Sequence, residues 1–222
     1  MNNHQKSCYR DRLIQETLND WGCLDIFQLT KMFFPSLHMA QKRMQRLSEA
    51  GKVLRHRENL GQPYCYYSSK LPLQQEHRVG MNWIRLWLLS NLRSWEKVYS
   101  FNYEINYNVL RPDGLIGIFN TVTEKYRFAF IEFDRGFNKF DKAEKYEKWY
   151  NTDGYANQWW TKYVERFPKI LVVSEKPPKV KSKLEFEIVS YEKMMGDMEK
   201  CHTVNLYGNL LNRALPLQCA SE

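Results

Sequence analysis

Three carboxylates near the middle of the chain have the types and spacing that could bind a divalent cation. Asp113 follows Pro112, and Glu132 and Asp134 lie at the end of a later apolar run. Mg²⁺ is typically held by one or two carboxylates, with water and substrate phosphates completing its shell. The predicted chemistry is phosphodiester hydrolysis, in which Asp113 and Glu132 hold Mg²⁺ or Mn²⁺ and Asp134 acts as third ligand or base.

A structural role explains the same residues equally well. Asp113 could cap a turn after Pro112, and Asp134 could pair with Arg135 at the end of a strand. The spacing alone favours neither interpretation.

Two apolar runs predict the strands that position these carboxylates. Residues 114–119 and 126–133 are almost continuously apolar, and the polar segment 121–125 between them predicts a hairpin turn. A turn centred near Thr123 places Asp113 beside Phe133, with Glu132 and Asp134 as near neighbours. Glu132 and Asp134 share one face because side chains alternate along a strand. Further apolar runs at 169–174 and 186–189 predict a mixed sheet flanked by helices, in an α+β or α/β fold.

The Pro112-Asp113 and Glu132-Phe133-Asp134 segments resemble the core of PD-(D/E)XK nucleases. The resemblance implies that the Asp and Glu bind metal and that a Lys follows two residues after the Glu. Asp134 occupies that Lys position in this chain. Some branches of the fold supply the Lys from the following helix, and the helix predicted at 138–150 offers Lys142 or Lys145. The alternative is that these lysines are the solvated face of that helix.

The first third of the chain predicts three helices and a hairpin, which is a winged helix-turn-helix plan. A linker between Ser68 and Glu76, containing Pro72, divides the chain into domains 1–72 and 73–222. The predicted elements are a helix over 11–19 that ends at Gly22, a helix from Asp25 to before Pro35, a helix from Ser36 to Gly51, and a hairpin over 52–57 and 63–68.

The third helix predicts a surface that could enter the major groove of DNA. Its apolar residues recur at helical spacing, so its polar residues lie on the opposite side. Gln and Arg can read base edges, and Lys and Arg contact phosphates. The alternatives are an ordinary solvated face or a protein-interaction module. The predicted DNA contacts are His38, Gln41, Lys42, Arg43, Gln45 and Arg46 on the helix, and Lys52, Arg55 and Arg57 on the hairpin.

Net charge, apolar run length and cysteine pattern indicate the partner and the compartment of the protein. The 222 residues carry a net charge of +8, of which residues 1–75 supply +5, so a polyanionic partner is expected. No apolar run approaches the roughly 18 residues of a membrane span, which predicts no membrane partner. The N-terminus lacks a signal-peptide pattern, and the five cysteines include no CxxC pair. These features predict a cytoplasmic protein.

Taken in order, a winged helix, Arg-Pro-Asp-Gly, Glu-Phe-Asp-Arg-Gly, Lys145-Tyr146 and Tyr150 resemble the replication-relaxation family of bacterial plasmids and mobile elements. The likeness covers most of residues 10–175. It implies a DNA-associated protein acting in replication, DNA relaxation or transfer, with replication or transfer proteins as partners and an inactive nuclease-like domain. One alternative is an active Mg²⁺- or Mn²⁺-dependent DNA endonuclease. Another is a regulator whose second domain forms a homodimer or docks a partner.

Overall fold

The computed structural model describes residues 2–137 and 140–201. These residues form two compact units, 2–86 together with Cys201, and 87–200. The division falls inside helix α4 (Gln75–Ser90) rather than at the predicted linker. The first part of α4 belongs to the N-terminal unit because Asn82 donates to the carbonyls of Trp21 and Cys23, and Arg85 pairs with Asp20 at 2.7 Å.

The N-terminal unit combines three helices with a small antiparallel sheet. The helix caps agree with the sequence: Asp25 and Ser36 accept backbone N–H groups at the starts of the second and third helices, and Gly22 ends the first at φ +81°. The strand order is β1-β3-β2, so the predicted hairpin is confirmed. The elements are α1 (Asn3–Trp21), β1 (Leu24–Asp25), α2 (Ile26–Phe33), α3 (Leu37–Glu49), β2 (Leu54–His56) and β3 (Cys65–Tyr67).

The C-terminal unit is built on a five-stranded mixed sheet of order β4-β5-β6-β7-β8. The first three strands are antiparallel, and β7 and β8 run parallel to β6. This arrangement confirms the α+β class with a mixed sheet. Its elements after α4 are β4 (Glu96–Tyr103), β5 (Gly114–Asn120), β6 (Lys125–Asp134), α5 (Lys142–Asn151), β7 (Lys169–Ser174), β8 (Phe186–Ser190) and α6 (Tyr191–Lys200).

An aromatic core fixes α5 on one face of this sheet. Phe130 of β6 packs against Tyr146 and Trp149 of α5 and against Trp160, and all four side chains are buried. These large aromatic side chains therefore supply packing. The helix predicted over 138–150 begins at Lys142, and residues 138–139 lie outside the described part of the chain.

None of the helices within residues 2–137 and 140–201 has both the length and the apolar character needed to span a bilayer.

Candidate active site and candidate nucleic-acid interface

The hairpin of β5 and β6 brings Asp113 and Glu132 to the same level of the sheet. Gly114 pairs with Ile131, so Asp113 lies level with Glu132 and not with Phe133 as predicted. The register differs by one residue because Asn120 pairs with Lys125, which centres the turn between Val122 and Thr123 instead of on Thr123. The Asp113 Oδ2 atom accepts the backbone N–H of Phe133 at 2.8 Å, which fixes the carboxylate at the strand end.

Lys142, in the first turn of α5, joins the two carboxylates. Its Nζ donates to Asp113 Oδ1 at 2.9 Å and to Glu132 Oε2. The carbonyl of Arg111 lies 3.4 Å from the same nitrogen. The structure therefore places Lys142, one of the two lysines considered as a substitute, against both predicted metal ligands.

Tyr146 completes the cluster from one helical turn further along α5. Its hydroxyl donates to Glu132 Oε1 at 2.7 Å, and both side chains are buried. In the sequence, Tyr146 is predicted only as part of the family resemblance, with no contact to the carboxylates. Its spacing of four residues from Lys142 is the signal that puts both side chains on one helix face.

Burial and charge set the protonation of this cluster. Burial, with the nearby charge of Asp113, raises the pKa of Glu132 to about 8, although Lys142 and Tyr146 oppose the shift. Burial alone would lower the pKa of Lys142, but the two carboxylates outweigh it and raise that pKa. Burial therefore favours the protonated form of Glu132, and the two carboxylates favour the charged form of Lys142.

Asp134 and Lys145 contact residues outside the Asp113–Glu132–Lys142 cluster. Asp134 accepts the Ser174 hydroxyl and the Gly136 N–H, both at 2.9 Å, and Lys145 pairs with Asp141 at 2.7 Å. Within residues 2–137 and 140–201, no three Asp, Glu, His or Cys side chains are grouped as metal ligands. The predicted cluster of three carboxylates is thus replaced by two carboxylates, an ammonium and a phenol.

This arrangement is compatible with two roles, metal binding and a structural ion pair. With Glu132 ionised and Lys142 displaced, Asp113 and Glu132 present the carboxylate pair that Mg²⁺ or Mn²⁺ accepts. With Lys142 in place, its ammonium pairs with Asp113 and hydrogen-bonds to Glu132, and the cluster has a structural role.

The exposed side of α3 carries five of the six predicted helix contacts. The buried residues are Ala40, Met44 and Leu47, as the periodicity requires. Among the exposed residues, Gln45 donates to Glu49 at 2.8 Å. The exposed predicted contacts on α3 are His38, Gln41, Lys42, Gln45 and Arg46.

Arg43, the sixth predicted contact on α3, is half-buried, whereas the other five are exposed. Its Nε donates to Asp11 Oδ1 at 2.9 Å, and its NH2 group donates to the other oxygen of the same buried carboxylate. This bond to Asp11 raises the pKa of Arg43. Arg43 therefore joins α3 to α1, and the structure gives it a packing role in place of the predicted surface position.

The hairpin β2–β3 holds two predicted contacts against one aromatic ring. The guanidinium carbon of Arg55 lies 4.6 Å from the ring centroid of Tyr64, and that of Arg57 lies 4.5 Å away. Lys52, before β2, is exposed. The stacking restricts the two arginine side chains before any ligand binds. Less conformational entropy is therefore lost when they contact a ligand.

Comparison of the chain with protein-family models, with curated proteins and with solved structures gave no match.

Proposed function

We propose that this chain is a duplex-DNA-binding protein of the replication-relaxation type. It acts in the cytoplasm on the replication, relaxation or transfer of a plasmid or mobile element, and its C-terminal unit is a nuclease-like scaffold without activity. The observation that carries the proposal is the exposed donor-rich face of α3, which leads along the chain into a hairpin with two pre-stacked arginines.

The order of elements in the N-terminal unit supports this assignment. The succession α1-β1-α2-α3-β2-β3, with sheet order β1-β3-β2, agrees with a winged helix plan. In such a plan the helix before the hairpin enters the major groove. Here that helix exposes Lys42 and Arg46 for phosphates and Gln41 for base edges.

The binding test is the salt dependence of duplex affinity. We expect Lys42→Ala combined with Arg46→Ala to weaken binding to all duplex sequences, and to reduce the slope of log affinity against log salt by about 2 if both contact phosphate. The matched control is Lys125→Ala combined with Lys193→Ala, which removes the same charge from exposed sites in the other unit. Equal affinities and slopes for the two double variants would contradict the proposal.

The C-terminal unit supports the nuclease-like part of the proposal through its topology. A helix, three antiparallel strands, a helix and a parallel strand follow one another as α4-β4-β5-β6-α5-β7. Asp113 precedes the second of those strands and Glu132 lies in the third. The order and the placement of both acids agree with the PD-(D/E)XK core that the sequence resembles.

Active cleavage is the second candidate, and one observation favours it. Lys142 reaches both carboxylates from α5, so the cluster holds the two acids and one lysine that the chemistry needs. The position of the ammonium between the carboxylates favours the inactive scaffold, because a cation can bind there only after Lys142 moves.

Incubation with supercoiled plasmid in Mg²⁺, Mn²⁺ or EDTA distinguishes the two candidates. We expect shifted but uncut plasmid, identical in all three conditions. Metal-dependent nicking that is lost in Asp113→Asn and in Lys142→Met, but kept in Lys145→Met, would establish the nuclease instead. Lys145→Met is the matched control because that lysine lies on the same helix and pairs with Asp141.

A further inference from the structure

Hydrogen bonds hold the turn after β6 against the ends of β6 and β7. Gly136 adopts a φ of +68°, and its N–H donates to Asp134 Oδ1 at 2.9 Å. The other Asp134 oxygen accepts the Ser174 hydroxyl at 2.9 Å, and the Asp134 carbonyl accepts the N–H of Glu175 at 3.0 Å. Asp134 thus ties the ends of β6 and β7 together and fixes the direction of the residues that follow.

This turn displays an exposed aromatic ring with one guanidinium over it, and a lysine stem packs on the neighbouring glycine. Phe137 is 74% exposed, and the guanidinium carbon of Arg135 lies 4.8 Å from its ring centroid. The stem of Lys176 packs on Gly136, where an added Cβ would lie 3.0 Å from the Lys176 Cβ and Cγ. We call Arg135, Phe137 and Lys176 the Phe137 platform.

The platform lies at the same end of the sheet as the candidate active site. Glu132 is two residues before Asp134 on β6, and Phe137 is three residues after it. Lys176 follows β7 at the same edge, because Asp134 and Ser174 are partners in the parallel register. The candidate active site and the exposed Phe137 ring therefore lie at one end of the same two strands.

We infer that the Phe137 platform binds an unpaired nucleotide, with the base stacked on Phe137 and its flanking phosphates beside Arg135 and Lys176. An exposed aromatic ring beside cations is the combination with which proteins hold single strands without reading their sequence. The charge of the platform complements phosphate, and the stacked guanidinium leaves the ring mostly exposed. The inference rests on the proposed function, and it names the form of DNA that the C-terminal unit selects.

A base pair inside a duplex does not satisfy this geometry, because both of its faces are covered by its neighbours. The platform therefore distinguishes a bulge, gap or single-stranded end from uninterrupted duplex. The α3 surface supplies duplex affinity and the platform supplies preference for the unpaired position, so the two contributions are separable by mutation.

The experiment compares a short duplex with the same duplex carrying one unpaired 2-aminopurine. We expect the full-length protein to bind the bulged duplex about tenfold more tightly and to quench its 2-aminopurine emission, since a stacked base contributes roughly 1–3 kcal/mol. Phe137→Leu should remove both the preference and the quenching while leaving the affinity for paired duplex unchanged, and Phe137→Trp should restore both. Trp159→Ala is the control, because it removes another exposed aromatic side chain from the same unit.

The outcomes separate this inference from the proposed function. Binding of paired duplex with no gain from the bulge, or a gain that survives Phe137→Leu, overturns the inference alone. Loss of paired-duplex binding with retained bulge binding overturns duplex recognition and supports the inference. Binding to neither DNA overturns both.

Discussion

Replacing Glu132 by Gln tests the electrostatics of the buried cluster directly. Glutamine has the shape of the protonated carboxyl: its carbonyl can accept from Lys142, and its amide faces Tyr146, whose hydroxyl must then accept instead of donating as it does to Glu132. The substitution therefore keeps the shape and the partners of the neutral side chain. It removes only the ability of residue 132 to lose a proton.

The expected effect follows from the pKa of Glu132. Burial and Asp113 raise this pKa from an ordinary value of 4.5 to about 8. The folded state is therefore favoured by protonation, and this stabilisation is complete below pH 4.5 and is lost as pH rises through 8. A difference of about 3.5 pKa units corresponds to an upper limit of about 5 kcal/mol. The free energy of unfolding of Glu132→Gln should thus rise relative to wild type across this window and level off above pH 8.

Urea unfolding at intervals from pH 5 to pH 9 measures this difference. Glu144→Gln is the matched control, because Glu144 is exposed on the same helix as Lys142, and its stability should follow the wild type at every pH. If the wild-type and Glu132→Gln stabilities changed in parallel with pH, the assignment of a raised pKa to Glu132 would be refuted.

Three further substitutions test packing and ion pairing. Tyr146→Phe should reduce stability by about 1–3 kcal/mol in urea unfolding, because it removes a donor from a buried carboxyl; an unchanged midpoint would contradict that bond. Gly117→Ala should lower the melting temperature, at a cost of about 1–3 kcal/mol, since its Cβ would lie 2.5 Å from the Phe128 ring; an unchanged melting temperature would contradict that close approach. Arg43→Ala should destabilise the N-terminal unit, leaving the buried Asp11 carboxylate without this partner, yet the folded variant should keep its duplex affinity in anisotropy titrations. A loss of affinity as large as that of Lys42→Ala would return Arg43 to the DNA surface.

Local sequence signals predicted most of the elements. The caps at Asp25 and Ser36, the glycine that ends α1 and the apolar run of β7 each act within a few residues, so they are visible without the fold. Strand β4 has a weaker local signal, because its polar and aromatic residues alternate at the edge of the sheet and are mostly half-buried.

The details of the candidate site depend on contacts between distant residues. The role of Asp134 is set by Ser174, which reaches it only through the parallel pairing of β6 and β7. Arg43 is withdrawn from the surface by Asp11, which lies on another helix. Neither partner could be identified from periodicity. Periodicity indicates the face on which a side chain lies but not which distant residue contacts it.

The position of Lys142 carries the most information about how this site works. A lysine two residues after Glu132 would point to the same face of β6 as the acid, whereas a lysine on α5 reaches both acids across the end of the sheet. That route leaves position 134 free for an aspartate that ties β6 to β7 and builds the turn carrying Phe137. Lys142 on α5 and Asp134 on β6 therefore have separate roles, because the first joins the two acids and the second joins the two strand ends.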